Sequence, residues 1–173
     1  MSEDTEIQDL NTALEQVSSL LSGLRAEDLA RPTPCTDWAV ADLAGHLVVS
    51  VGGLAAMASG RQPDWSTPPD LTDGHAAAFE RAATQLHEAW IAGPEGGSTA
   101  MACAELAVHT WDLATALGRP IAGLAAGPAD AGLVFMQANL TDERRGDAFG
   151  PEQSAPEGAG PYTRIAAYAG RQV

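Results

Sequence analysis

The spacing of apolar residues predicts an amphipathic helix at the start of the chain. Asp4 and Glu6 suit its first turn, where acidic side chains interact favourably with the helix dipole, and Gly23 suits its end. The apolar positions lie three and four residues apart, as one face of a helix requires. They are Ile7, Leu10, Leu14, Val17, Leu21 and Leu24.

The second helix is predicted to begin at Trp38 and to end near Gly60. The prolines of the preceding segment, RPTPCTDW, cannot continue a helix, and Thr36 or Asp37 can cap the one that follows. Most of its apolar residues lie on or near one face, and His46 lies among them. An imidazole in such surroundings needs a partner for each ring nitrogen.

Two more long helices are predicted after loops rich in proline and glycine. One runs from a cap at Asp73 to about Trp90. The next starts at a cap on Ser98 or Thr99 and stops at Gly118, which a proline follows two positions later.

The remainder of the chain is predicted to be partly helical. A fifth helical run has Pro128 near its start and extends to about Asn139. Residues 149–162 are predicted to be irregular, and residues 163–172 to add a short terminal helix. Since no strand pattern and no internal repeat occur, we predict an all-α fold. It is a single domain, residues 1–173, built as a four-helix bundle with a short C-terminal extension.

Composition narrows the choice of function. The 173 residues are 45% apolar and 18% charged, which is typical of a globular domain. The net charge is −14, so we expect binding neither to nucleic acid nor to an anionic membrane. Every basic residue is arginine, which excludes a lysine Schiff base and a Walker-type phosphate loop.

Three features of the sequence indicate a cytoplasmic location. The N-terminus lacks the charged and apolar regions of a signal peptide, and no uninterrupted apolar run has the length of a membrane span. The two cysteines, Cys35 and Cys103, are too few for a disulfide framework. We therefore expect a cytoplasmic protein with reduced thiols.

The fourth predicted helix carries polar side chains on an otherwise apolar segment, AELAVHTWDLATALG. At 100° per residue, Glu105, His109 and Asp112 fall within a sector of about 60°. These three side chains either form a solvent-exposed polar stripe or converge on a common site inside the protein. With His46, the Glu105 and His109 side chains offer two imidazoles and a carboxylate, a set that leaves coordination positions open in catalytic metal sites. The ordinary alternatives are a hydrogen-bonded core histidine and a surface Glu–His pair.

Two segments carry a resemblance to a known family. PTPCTDWAVADLAGHLV and AELAVHTWDLATALGRP resemble the DinB-like superfamily. Within it they are most similar to the branch related to the mycothiol-dependent maleylpyruvate isomerase N-terminal domain, including its small metal-binding-protein subfamily. The likeness runs nearly the full length, through FGPE to the terminal RIAAYAGR.

The resemblance implies a divalent metal at one end of the bundle, held by His46, Glu105 and His109. Zinc is the first expectation, with nickel or iron as other choices. Several members of the family use such a metal to bind a low-molecular-weight thiol such as mycothiol. The implied function is thiol-dependent S-transfer or isomerisation of a small electrophile. The alternative is a non-enzymatic metal- or ligand-binding bundle with a structural metal, and family members occur as monomers and as homodimers.

The sequence leaves two possible roles open for several other residues. Asp112 is either the acceptor behind a ligand histidine in the binding site or an arginine-paired carboxylate on the bundle surface. Cys35 is either a nucleophile at a helix start or a small buried residue. Arg144 and Arg145 either attract an anionic cosubstrate or belong to a solvated charged turn.

Overall fold

The computed structural model describes residues 2–35, 37–146 and 148–173. These residues form six α-helices and two short 3-10 helices, Ala26–Asp28 and Asp142–Arg144, without any β-strand. The all-α prediction is therefore confirmed. The α-helices are α1 Glu3–Ser22, α2 Val40–Ala58, α3 Gly74–Ile91, α4 Thr99–Leu117, α5 Gly127–Asn139 and α6 Pro161–Tyr168.

The first four helices form the bundle. Helix α1 packs against α3 and α4, and α2 packs against the same two helices, so the four close a ring. Helices α5 and α6 pack on α4 and on each other. Because α4 is enclosed in this way, 14 of its 19 residues are buried. The polar side chains of His109, Thr110 and Asp112 on α4 therefore lie inside the protein.

Local signals place most helix ends where the sequence predicts them. The Oγ of Ser98 accepts the N–H of Met101 at 3.0 Å at the start of α4. The helix stops at Gly118, whose φ of 64° is a left-handed conformation that suits glycine. Helix α1 ends at Gly23. Asp73 occupies the cap position of α3 but makes no capping hydrogen bond with its side chain.

The start of α2 differs from the prediction. The helix begins at Val40, two residues after Trp38. The backbone of Trp38 belongs to the preceding loop, because its carbonyl accepts the N–H of Thr33 at 3.1 Å and the hydroxyl of Thr33 at 2.9 Å. At the helix start, the Asp42 carboxylate accepts the N–H of Ala39 at 2.9 Å.

Thr36 and Asp37 are the two residues predicted to cap the start of α2. Asp37 lies in a turn with a φ of 67°, ahead of the actual cap position, so it does not cap the helix. Thr36 lies outside the described residues. The end of α2 agrees with the prediction, since Gly60 follows it with a φ of 66°.

Helix α2 is long and apolar enough to cross a membrane when judged by length and composition alone. Most of its apolar window, 61%, is buried inside the bundle. The core helix of a folded domain has the same composition, and α2 packs against α3 and α4. Burial thus accounts for its apolar character, while the expectation of no membrane binding stays a prediction.

Two apolar clusters hold the helices together. One fills the ring of α1 to α4, and the other lies between α4, α5 and α6. Gly132 lets α5 approach α4 closely, because a Cβ there would lie 2.7 Å from the Cα of Ala104. Since Ala104 precedes Glu105, this close contact sets α5 directly beside the polar residues of α4.

Candidate metal centre

His46, Glu105 and His109 meet where α2 faces α4. The Nε2 of His46 lies 2.8 Å from the Oε1 of Glu105, and the Nε2 of His109 lies 3.6 Å from the same oxygen. Each residue contributes one potential ligand atom, and these three atoms lie within 4.8 Å of one another. The structure therefore brings together the three residues singled out from the sequence, whereas metal ligation itself stays a prediction.

The two imidazole rings are held by packing. They lie edge to face, with centroids 4.9 Å apart. Trp38 packs beside both rings, with its centroid 4.7 Å from that of His46 and 6.2 Å from that of His109. The loop that delays the start of α2 is what places this indole against the histidines.

Ser50 joins the group from one turn further along α2. Its hydroxyl donates to the Oε1 of Glu105 at 2.7 Å and lies 3.2 Å from the Nε2 of His46. Sequence reasoning did not assign Ser50 a role. The available signal was its position four residues after His46, which places both side chains on one face of the helix.

Asp112 lies behind His109 and is fully buried. Its Oδ2 lies 3.0 Å from the Nδ1 of His109. A carboxylate accepts hydrogen bonds, so this pairing keeps a proton on Nδ1 and turns Nε2 towards Glu105. Ligand histidines in metal proteins are commonly oriented by a carboxylate in this way.

Arg171, near the C-terminus, holds Asp112 from the other side. Its Nε and Nη2 donate to the two carboxylate oxygens at 2.8 and 3.0 Å. Asp112 is thus paired with arginine, but inside the protein and not on the bundle surface. Gly170 precedes the arginine with a φ of 87°, and a Cβ there would collide with the backbone of Gly150. Sequence reasoning missed Arg171, whose signal was its place in the terminal RIAAYAGR.

Cys35 is buried against the same carboxylate. Its Sγ donates to the Oδ2 of Asp112 at 3.1 Å and lies 3.8 Å from the Nδ1 of His109. These three residues form a second cluster of potential ligands, but the guanidinium of Arg171 already compensates the charge of Asp112. The position favours the interpretation of Cys35 as a small buried residue. Cys103 lies in the core, where burial raises the pKa of its thiol to about 12.

A cavity of about 680 Å³ opens beside these residues. The polar residues of the metal centre that line it are His46, Ser50, Glu105 and His109. Its walls come from α2, α4, α5 and the loops after α2 and α5. The apolar residues of the walls are Leu54, Met57, Pro63, Trp65, Met101, Ala104, Val108, Phe135, Met136, Leu140 and Phe149.

Comparison with known protein families shows to which family the chain belongs. Residues 10–114 match the mycothiol maleylpyruvate isomerase N-terminal domain. The protein belongs to this DinB-like family. The matched segment includes all four polar residues of the centre on α2 and α4. It ends before α5 and α6, so Arg171 lies outside it.

The similarity to individual proteins extends beyond the family segment. Two uncharacterized proteins, from two strains of Mycobacterium tuberculosis, are each 30% identical to the chain. The alignments cover 93% of this chain and 94% of each relative. No solved structure matches. The similarity to these relatives therefore covers nearly the whole length of the chain, and their descriptions name no activity.

In this member of the mycothiol maleylpyruvate isomerase N-terminal domain family, Glu105 and His109 carry opposite charges. Burial alone would raise the pKa of Glu105, but His109, His46 and Ser50 outweigh it and lower that pKa to about 2. Burial would lower the pKa of His109, but Glu105 and Asp112 outweigh it and raise that pKa to about 10. A metal bound at Nε2 of His109 must therefore displace a firmly held proton.

The two arginines of the TDERRGD turn have separate positions. Arg145 is buried and donates to the carbonyls of Gly150 and Tyr168 at 3.0 and 2.8 Å, so it is not solvated. Arg144 is exposed, lines the cavity and donates to the carbonyl of Asn139 at 3.2 Å. Of the pair, only Arg144 is placed to meet a ligand.

Proposed function

We propose that the protein is a divalent-metal-dependent enzyme that uses a low-molecular-weight thiol, mycothiol by family, in S-transfer to a small electrophile or in its isomerisation. The observation that carries the proposal is the convergence of three potential ligand atoms, within 4.8 Å of one another, in the lining of a cavity of about 680 Å³. Membership of the mycothiol-related family supports the choice of cosubstrate.

The donor set suits a divalent ion. The Nε2 atoms of His46 and His109 and the Oε1 of Glu105 would hold it, and nitrogen and oxygen ligands suit zinc first, with nickel and iron as alternatives. Three protein ligands leave further positions open, as catalytic sites require. A bound divalent ion supplies positive charge that favours the thiolate form of a thiol at neutral pH.

Side chains around the metal centre have different roles in such a reaction. Asp112 keeps the proton of His109 on Nδ1, and Ser50 orients the Glu105 carboxylate through its 2.7 Å hydrogen bond. The apolar cavity walls exclude water from the place where the sulfur meets the electrophile. In S-transfer the sulfur electron pair forms a carbon–sulfur bond and the leaving group departs with its own pair. In isomerisation the sulfur pair adds to one carbon of a double bond while the π pair moves onto a conjugated carbonyl oxygen of the substrate. After rotation about the resulting single bond, that pair returns, re-forms the double bond and expels the thiolate.

Metal content and cobalt spectroscopy test the proposal. The purified, untagged protein and a Glu88→Gln control, altered at an exposed position on α3, should each hold one equivalent of metal. Glu105→Gln should hold much less, because a neutral amide is a poor ligand. Titration of the cobalt form with mycothiol should produce a sulfur-to-cobalt charge-transfer band.

Each alternative has its own outcome in these measurements. Substoichiometric metal in the unaltered protein contradicts metal dependence. Bound cobalt without a charge-transfer band contradicts the use of the thiol. Unfolding on metal removal, together with an unresponsive cobalt spectrum, indicates a structural metal and a non-enzymatic bundle.

A further inference from the structure

The polar residues that line the cavity belong to two groups. The first is His46, Glu105 and the other polar side chains of the metal centre, and the second is Asn139 and Arg144, which are both exposed. The rest of the lining, in the part of the chain that the structure describes, consists of aliphatic, aromatic and thioether side chains. A ligand that fills the cavity must therefore bury part of its surface against apolar side chains.

The wall is built by specific packing and not by a chance gap between helices. Trp65 lies in the loop after α2, and its indole packs so closely over Gly53 that a Cβ on that glycine would collide with the ring. Phe135 and Met136 line the cavity from α5, which Gly132 allows to approach α4 closely. Two glycines thus permit the approaches that bring these apolar side chains to the cavity.

Size and polarity together disfavour a small diacid. A volume of about 680 Å³ lies within the range that encloses drug-sized organic molecules. A compact dianion would leave most of this wall without contact, and any carboxylate placed against it would lose hydration without gaining a hydrogen bond. A hydrophobic body gains affinity with each methylene that it buries, roughly fourfold at full burial.

We infer that the electrophile is a compound with a hydrophobic body, its reactive atom beside His46 and Glu105, and not a small charged acid such as the maleylpyruvate in the family's name. The inference rests on the proposed function, because it names the substrate class of the same cavity. The polar part of the thiol then has its place beside Asn139 and Arg144.

Binding of unreactive carbonyl compounds tests the inference without the thiol. Isothermal titration of the metal-loaded protein should compare 2-nonanone, 2-butanone and maleate. We expect 2-nonanone to bind at least about tenfold more tightly than 2-butanone, because it adds five methylenes. Maleate should bind more weakly than 2-nonanone. Equal affinity for the two ketones, or tighter binding of maleate, would overturn the inference.

A matched pair of variants on α5 locates the binding. Phe135→Gln should weaken 2-nonanone binding at least about fivefold, because it places an amide in the apolar wall. Val134→Gln is the control, because Val134 is 68% exposed on the same helix and does not line the cavity. Met101→Gln, on α4, provides a second test should the Phe135 variant not fold. Equal effects of the wall and control substitutions would refute binding in this cavity.

The outcome can be separated from that of the proposed function. If 2-nonanone binds as expected and the cobalt spectrum does not respond to mycothiol, the proposed transfer is wrong while the cavity still selects hydrophobic ligands. If mycothiol alters the cobalt spectrum and the ketones bind alike, the thiol chemistry stands and the inferred substrate class is wrong.

Discussion

Removal of the Arg171 guanidinium should destabilise the protein more than removal of any comparable surface arginine. The substitution Arg171→Met keeps an apolar stem and deletes the two hydrogen bonds to Asp112, at 2.8 and 3.0 Å. Asp112 is fully buried, and the Arg171 side chain is only 10% exposed. The carboxylate would then remain in the interior without its arginine partner, with His109 as its remaining cationic neighbour.

The expected loss follows from this burial. Deleting one member of a buried ion pair costs about 3–5 kcal/mol, because the other charge stays desolvated. For a chain of 173 residues, each kcal/mol lowers Tm by about 2–4 °C, so the expected fall is about 6–20 °C. Metal affinity should also fall, by roughly tenfold or more, since Asp112 would no longer be held against His109.

A second arginine provides the control. Arg164 lies on α6 and also pairs with an aspartate, Asp130, at 2.8 Å, but both side chains are about half exposed. Arg164→Met should cost no more than about 1 kcal/mol, because water and salt screen an exposed pair. The two substitutions delete the same group at the same shortest distance, and the pairs differ in burial and in having two hydrogen bonds against one.

Thermal and urea unfolding of the variants would measure the difference. The double variant Asp112→Asn with Arg171→Met should be more stable than Arg171→Met alone, because it removes the stranded charge. If Arg171→Met loses no more stability than Arg164→Met, the buried pair does not hold the C-terminal segment. If the double variant is less stable than Arg171→Met, the stranded-charge explanation is wrong.

Three further predictions concern the metal centre and the packing of α5 against α4. Cobalt affinity should rise with pH, by up to about tenfold per unit below the His109 pKa of about 10, because the metal displaces the proton on Nε2 of His109. Competition titrations at pH 6, 7 and 8 measure this change, and an affinity that does not vary with pH would contradict it. Asp112→Asn should reduce cobalt affinity about 10- to 100-fold, measured in the same way, while the folded state persists. Gly132→Ala should cost about 1–3 kcal/mol in urea unfolding, because its Cβ would lie 2.7 Å from the Cα of Ala104, whereas Gly123→Ala has open space and should cost little.

The local parts of the architecture could be predicted from the sequence. Apolar spacing of three and four residues indicated the long helices, and Ser98 and Gly118 marked the ends of α4, because these signals act within one or two helical turns. The shared face of Glu105 and His109 is of the same kind, since four residues make about one turn. Such features depend on backbone geometry that neighbouring residues determine.

The convergence of different segments depended on tertiary packing. Helical spacing could not show that His46 meets Glu105, 59 residues away, and the family resemblance made that pairing an expectation. The first turn of α2 was misplaced because Trp38 bonds to Thr33 in the loop, a contact that no helical period records. Arg171 reaches Asp112 across another 59 residues.

The sequence by itself thus determined the helices, the acidic surface and the pairing of Glu105 with His109 on one turn. Only the tertiary structure decided that Asp112 is buried against Arg171, that Ser50 joins the ligands, and that the cavity beside them is apolar. The reason is physical: helix periodicity and caps depend on atoms a few residues apart. A buried charge or a cavity wall depends on which distant surfaces are pressed together.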